Sequence, residues 1–258
     1  MGLRKAVGFF LASLIIISIL VMSFQFKPAY AADSNSAAIA YRSNTGSCAV
    51  NLLNCPKYRE WNTFNLAWSS EVELPTAGSP VRFAWLEFSP VSTKRVIVTL
   101  SDDGFLDSYV CSSACRTPSS WTVTNDIVDL WATAPTGAQR PFDMEFEKTS
   151  GDLILVYDRV TASATEDLFY RIMTAAATSF GAEGTIDDTT NTDTADEFHS
   201  FVRMASKSGA DSIGMIAHSE TDLDAIAWVW DGNAWGNQHE LVTNTQAGTL
   251  ENLSLIHI

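Results

Sequence analysis

The chain has 258 residues, 46% of them hydrophobic and 11% aromatic, which is enough apolar material for one large domain or two ordinary ones and is not a disordered composition. Its formal charge is −14, and setting aside the three cations of the first 31 residues (Arg4, Lys5, Lys27) leaves 13 basic against 30 acidic side chains, or −17. Such a surface repels phosphate backbones, which argues against nucleic acid as a partner and leaves cations, basic proteins and neutral sugars open.

Residues 1–31 join a short cationic start to an apolar run of 19 residues, Ala6 to Phe24, and close on Ala29-Tyr30-Ala31. This is the pattern of a secretory signal peptide with cleavage expected before Ala32. An uncleaved membrane anchor is the competing reading, since the run approaches the length that spans a bilayer. Both place everything after Ala32 outside the cytoplasm, secreted or on the cell surface. A membrane is a partner only if the leader stays attached.

Strands are expected at Ala37 to Arg42 and within Trp61 to Leu74, and then a unit of four strands recurs three times. The first copy runs over Arg82 to Phe88, Lys94 to Ser101, Leu106 to Cys111 and Trp121 to Ile127. The second covers Arg140 to Glu147, Asp152 to Asp158, Asp167 to Met173 and Ser179 to Ile186. The third covers Ser200 to Ser206, Asp211 to His218, Asp224 to Trp230 and Trp235 to Val242. Spacings support one period: Trp61, Trp121, Phe180 and Trp235 are 60, 59 and 55 apart; Phe88 and Phe146, 58; Ile97, Ile154 and Ile213, 57 and 59; Asp107, Asp167 and Asp224, 60 and 57. No long stretch combines helical periodicity with caps, so few helices are expected.

Four strands per unit, read as continuous apolar runs (RVIVTL, LILVY, AIAWVW), describe small sheets covered on both faces, as in the blades of a β-propeller. A tandem of β-sandwiches would need seven or more strands per unit. The expected division is a leader over 1–31, a partial first blade with ring-closing strands over 32–81, and blades over 82–139, 140–199 and 200–252. Residues 253–258 read as one frame of a sequencing adaptor, so native sequence in this chain is expected to stop near Asn252, with the whole protein continuing in further blades. About three and a half blades are then present.

Cys48 and Cys55 have six residues between them and Cys111 and Cys115 three, and both pairs fall at equivalent points of the repeat. Two local disulfides fit this spacing and the compartment. A four-cysteine zinc site remains the alternative.

The hairpin Asp231-Gly232-Asn233-Ala234-Trp235 resembles the Asp-box of sialidase-type propellers, one residue short and without its leading Ser or Thr. The resemblance implies a structural turn in which Asp231 bonds the backbone, Gly232 turns the chain and Trp235 packs. The other units keep only the aromatic position. The catalytic features of sialidases do not carry over: Tyr170-Arg171-Ile172-Met173 lacks the proline of the family's Arg-Ile-Pro motif, and no Tyr and Glu pair is assignable as nucleophile and base.

Ligand-binding candidates are polar residues at equivalent strand ends. Arg82 and Arg140 each precede an inner-strand Phe by six residues and would clamp a carboxylate or acidic sugar at the channel mouth, or else pair with acidic neighbours at a blade seam. His218 joins them from a loop on the same face. The linker TIDDTTNTDTADE, with Asp187, Asp188, Asp193 and Asp196, offers oxygen ligands to calcium; the alternative is a solvated acidic loop, and no other cofactor is indicated. The expected function is a binding or adhesion module for carbohydrate or protein. A glycoside hydrolase or lyase on the same scaffold, or a structural envelope component, are the alternatives.

Overall fold

The computed structural model describes residues 37–43, 55–74, 79–130, 139–159, 168–186, 198–219 and 223–242. They form sixteen strands in four antiparallel sheets, and the only helical turn among them is Pro118–Ser120. The first sheet holds β1 (Ala38–Ser43), β2 (Cys55–Asn62), β3 (Ala67–Trp68) and β4 (Val72–Glu73), with β3 and β4 following one another along the edge of β2. The second runs in the order β5 (Val81–Phe88), β6 (Arg95–Ser101), β7 (Phe105–Cys111) and β8 (Thr122–Asp129). The third is β9 (Phe142–Phe146), β10 (Leu153–Tyr157), β11 (Leu168–Met173) and β12 (Glu183–Ile186). The fourth is β13 (His199–Ser206), β14 (Ile213–Ser219), β15 (Ala225–Trp230) and β16 (Trp235–Val242). The chain is all-β, built of β-propeller blades, and the first strands β1, β5, β9 and β13 lie side by side in that order.

Burial within each blade explains the sequence pattern. The second strands β6, β10 and β14 are almost wholly buried, and β6 and β10 have a neighbouring blade on each face, so both of their faces must be apolar. The last strands β8 and β16 are largely exposed, and their side chains are mostly polar. First and second strands are joined in three blades by six-residue hairpins closed by one equivalent bond: Ser89 N to Lys94 O at 2.9 Å, Glu147 N to Asp152 O and Lys207 N to Ser212 O at 2.8 Å. The second hairpin needs Gly151 at φ +75°, where a Cβ would also lie 2.2 Å from a Val91 methyl of the preceding blade.

Two expected landmarks sit elsewhere. Trp61 does not open a fourth strand; it lies on β2 opposite Trp68 of β3, with rings edge to face at 5.6 Å. Ile97, Ile154 and Ile213 are not ladder equivalents, since they pair with Leu86, Glu145 and Ser206, and the hairpins align Phe88, Phe146 and Ser206 instead. Cys111 and Cys115 are disulfide-bonded at the end of β7, which removes both as zinc ligands. Cys55 is also disulfide-bonded, and Cys48 lies outside the described residues.

Polar groups hold the blades to one another. The buried Lys94 ammonium reaches across the seam between the second and third blades to the carbonyls of Thr174, Ala175 and Ala177, at 3.3, 2.5 and 2.7 Å. At the inner strands, Asp143 of β9 accepts from Met144 N at 3.0 Å and from Met204 N of the next blade at 2.8 Å. Arg140 and Arg203 lie 3.6 and 3.8 Å from its carboxylate, and their guanidiniums sit 4.2 and 4.5 Å from the centre of the Trp85 ring on β5. Burial pushes the Asp143 carboxyl up to about 6 although both arginines pull it down. Glu87, on the same strand as Trp85, is pushed up to about 8, chiefly by burial and then by Glu145 and Asp143.

Lys94→Met leaves three carbonyls without their donor and should cost about 1–3 kcal/mol, read as a lower urea midpoint at constant slope. Lys207→Met on an exposed turn should stay within about 0.5 kcal/mol; equal losses would show that the cross-seam contact is without weight. Glu87 also sets a pH dependence. The folded chain keeps its proton where the unfolded chain has lost it, so this group makes stability fall as pH rises from about 4.5 to about 8. Thermal unfolding of Glu87→Gln between pH 5 and 8 should show a flatter decline than the parent, and an unchanged slope would refute the assignment.

Candidate functional site

The structure does not gather the three channel-face candidates on an accessible surface. Arg82 is half-buried, with Nε 3.3 Å from Asp102 Oδ1. Arg140 is taken up by the inner seam: it is 7% exposed, donates to Val202 O at 3.2 Å, and burial lowers its pKa to about 10. His218 lies within β14, not on a loop, and is buried with Nδ1 3.2 Å from Ser200 Oγ. The calcium candidates Asp187, Asp188, Asp193 and Asp196 lie outside the described residues. Among the described residues no three His, Cys, Asp or Glu side chains are grouped to hold a metal.

The hairpin between β15 and β16 is placed where it can build a site. Asp231 Oδ1 accepts from the amides of Asn233 and Ala234, both at 2.9 Å, and these two bonds hold its carboxyl below the usual range. Gly232 takes φ +100°, and the turn sets Trp235 at the start of β16, opposite Trp230 and 5.6 Å from its ring. Two residues later the ladder slips: Val229 pairs with Gly236 and Ala227 with His239, leaving Asn237 and Gln238 opposite Trp228. Asn237 adopts φ +51° there. Such a bulge re-aims side chains at the edge of a sheet.

These residues form one wall of a cleft between the outer strands of the third and fourth blades. Its volume is 380 Å³, and Tyr170, Thr185 and Ile186 from β11 and β12 face Trp228 and Ala234 to Gln238. Glycines shape both walls. The Tyr170 ring lies on the backbone of Gly184, where a Cβ would come within 2.5 Å of it, whereas a Cβ on Gly236 would meet nothing within 4 Å. The other two seams carry side-chain contacts of their own. Tyr58 and Trp121 meet edge to face at 4.9 Å and Arg116 reaches Glu60 at 2.8 Å between the first and second blades, while Lys94 occupies the next seam.

The sequence singled out Trp235 as a packing residue and missed Tyr170, Thr185, Gly236, Asn237 and Gln238 as a group. They come from two repeats, and only the bulge brings the last two to the cleft. A small signal was present in the glycine beside an aromatic at Trp235-Gly236.

No family model and no curated protein matches this chain. Among solved structures it is similar to the six-bladed β-propeller lectin of Aleuria aurantia, described with a fucose recognition mode, at 15% identity and a TM-score of 0.49, over 83% of this chain and 59% of that one. It is also similar to an exo-β-1,3-galactanase from Phanerochaete chrysosporium, at 12% identity and a TM-score of 0.44, over 80% of this chain and 47% of that one. A third is the NanB sialidase of Streptococcus pneumoniae, at 11% identity and a TM-score of 0.47, over 75% of this chain and 30% of that one. The chain therefore spans less than two thirds of the length of each of these proteins.

Proposed function

We propose that the chain is an extracellular β-propeller that acts by binding, with a saccharide as ligand in the cleft between its third and fourth blades. The observation that carries this reading is the lining itself: the rings of Tyr170 and Trp235, with the buried Trp228 contributing to the wall, beside the amides of Asn237 and Gln238 and the hydroxyl of Thr185. Sugar rings combine apolar C–H faces, which lie on aromatic faces, with hydroxyls that exchange hydrogen bonds with amides. The volume of 380 Å³ falls within the ordinary range for small-ligand sites. An extracellular setting agrees with the leader pattern and with the Cys111–Cys115 disulfide. Hydrolysis in this cleft would need a pair of carboxylates, and none lines it.

A second reading, protein recognition, is favoured by the hairpin between β2 and β3. Phe64 is 98% and Leu66 71% exposed at its tip, and Asn62 Oδ1 fixes the turn by accepting from Phe64 N at 2.9 Å. Two apolar side chains held out on an ordered turn are a contact surface rather than core.

Gly236→Trp fills the cleft without touching the core. A glycan array probed with the full chain should show binding to a subset of saccharides, and this variant should lose at least about tenfold in affinity, about 1.4 kcal/mol, with its melting temperature unchanged. Undiminished binding by the variant would move the site elsewhere, for which Phe64→Ser is the next variant to measure.

A further inference from the structure

We infer that Arg203 forms a second ligand site, on the inner strands and apart from the outer cleft, which takes one singly charged oxyanion group such as a carboxylate. This goes beyond the saccharide reading of the cleft and does not depend on it.

Packing alone places the side chain. Arg203 extends from β13 beside the Asp143 carboxylate of β9, and its guanidinium ends 4.5 Å from the centre of the Trp85 ring on β5 and 5.4 Å from that of Phe201. Ring faces hold a planar cation without using its N–H groups. Among the described residues Arg203 donates no hydrogen bond, and its one carboxylate neighbour, Asp143, stands 3.8 Å away, beyond hydrogen-bonding reach. Other arginines are differently placed: Arg95, Arg116 and Arg159 lie 2.9, 2.8 and 2.7 Å from glutamate oxygens. The Arg203 guanidinium is also accessible. Its side chain is 27% exposed, and none of its nitrogens is sealed from solvent. A guanidinium fixed in place with its donors unused suits the two oxygens of a carboxylate.

The charge count points the same way. Arg140 and Arg203 share one carboxylate, whose two oxygens already accept the amides of Met144 and Met204. Neighbouring acids do not offset the second arginine. Glu145 accepts from Lys148 Nζ at 2.8 Å, and Glu87, pushed up to about 8, keeps its proton at neutral pH. The cluster therefore carries one positive charge in excess. Its effect reaches Arg140, whose pKa is lowered by burial and then by Arg203, against the pull of Asp143. An anion on the exposed edge of Arg203 offsets that repulsion. Arg140, only 7% exposed, acts through its charge and not by contact.

The same count sets the valence of the ligand. One excess charge balances one negative charge, whereas a sulfate dianion would leave a second facing Asp143. Polyanionic chains are also repelled by the formal charge of −14.

The test titrates the full chain with glucuronate, its neutral counterpart glucose, and inorganic sulfate, followed by calorimetry in about 0.05 and about 0.5 M NaCl. Glucuronate should bind at least about tenfold more tightly than glucose or sulfate at low salt, and its Kd should rise at least about threefold at high salt. Acetate, the same group without a sugar, should displace it. Arg203→Gln should remove the preference for glucuronate, and Arg203→Lys should restore it only in part, because an ammonium lacks the guanidinium fork. Gly236→Trp, which fills the outer cleft, should keep the preference. Glucuronate that binds no better than glucose or sulfate, resists displacement by acetate, or keeps its advantage in Arg203→Gln would overturn the inference. If Arg203→Gln does not fold, salt dependence and acetate displacement in the parent chain still decide. Failure of the cleft reading is separate: it shows as glucose binding that survives Gly236→Trp.

Discussion

A four-stranded sheet that is apolar on both faces cannot stand alone in water, and everything else in this protein follows from that constraint. The middle strands β6 and β10 are almost wholly buried because another blade lies on each side. Each seam must therefore match apolar shape and also satisfy whatever polar groups it traps. Asp143 shows how tightly this is arranged. Its two oxygens serve amides of two different blades, and two guanidiniums share the remaining charge while lying near the ring of Trp85 from a third strand. Burial is costly enough there to raise the Asp143 carboxyl, so the cluster contributes positional specificity more than net stability.

The same device appears elsewhere in altered form. Three times a tyrosine hydroxyl donates to a glutamate that also meets two basic side chains: Tyr41 with Glu71, Lys57 and Arg59; Tyr58 with Glu60, Arg95 and Arg116; Tyr157 with Glu183, Arg159 and Arg171. Each ties neighbouring strands or blades through a carboxylate with several donors, which suits a half-buried charge better than a single ion pair. Arg116 owes its reach to Glu60 to the loop closed by the Cys111–Cys115 disulfide. A covalent link thus supports a polar contact between blades.

Whether a seam becomes a site depends on what fills it. Lys94 and the Tyr58–Trp121 pair fill two of them with side chains whose partners are all within the protein. Between the third and fourth blades a cleft is lined by Gly236 and, at the bulge, by Asn237 and Gln238. In the second blade a bulge of β8 lies at a different point of the third strand, opposite Asp107, which accepts from Asp126 N at 2.9 Å. In the fourth blade the residue opposite Asn237 and Gln238 is Trp228.

The repeat, the strand content and the turn at Asp231 were legible in the sequence, because period, β-branched runs and turn chemistry are local properties that spacing reveals. Some of the register was not. Trp61 and the three isoleucines fit the period yet occupy different ladder positions, since a shift of one residue leaves the spacing plausible while turning side chains to the other face. Arg140 and His218 had the right residue types for binding, but whether a polar side chain meets a ligand or a buried partner depends on the neighbouring blade. By itself the sequence determined a chain of four-stranded units with apolar faces and an acidic surface. Only the tertiary structure brought the two walls of the cleft together, because Tyr170 and Gln238 are 68 residues apart and meet through the packing of two sheets.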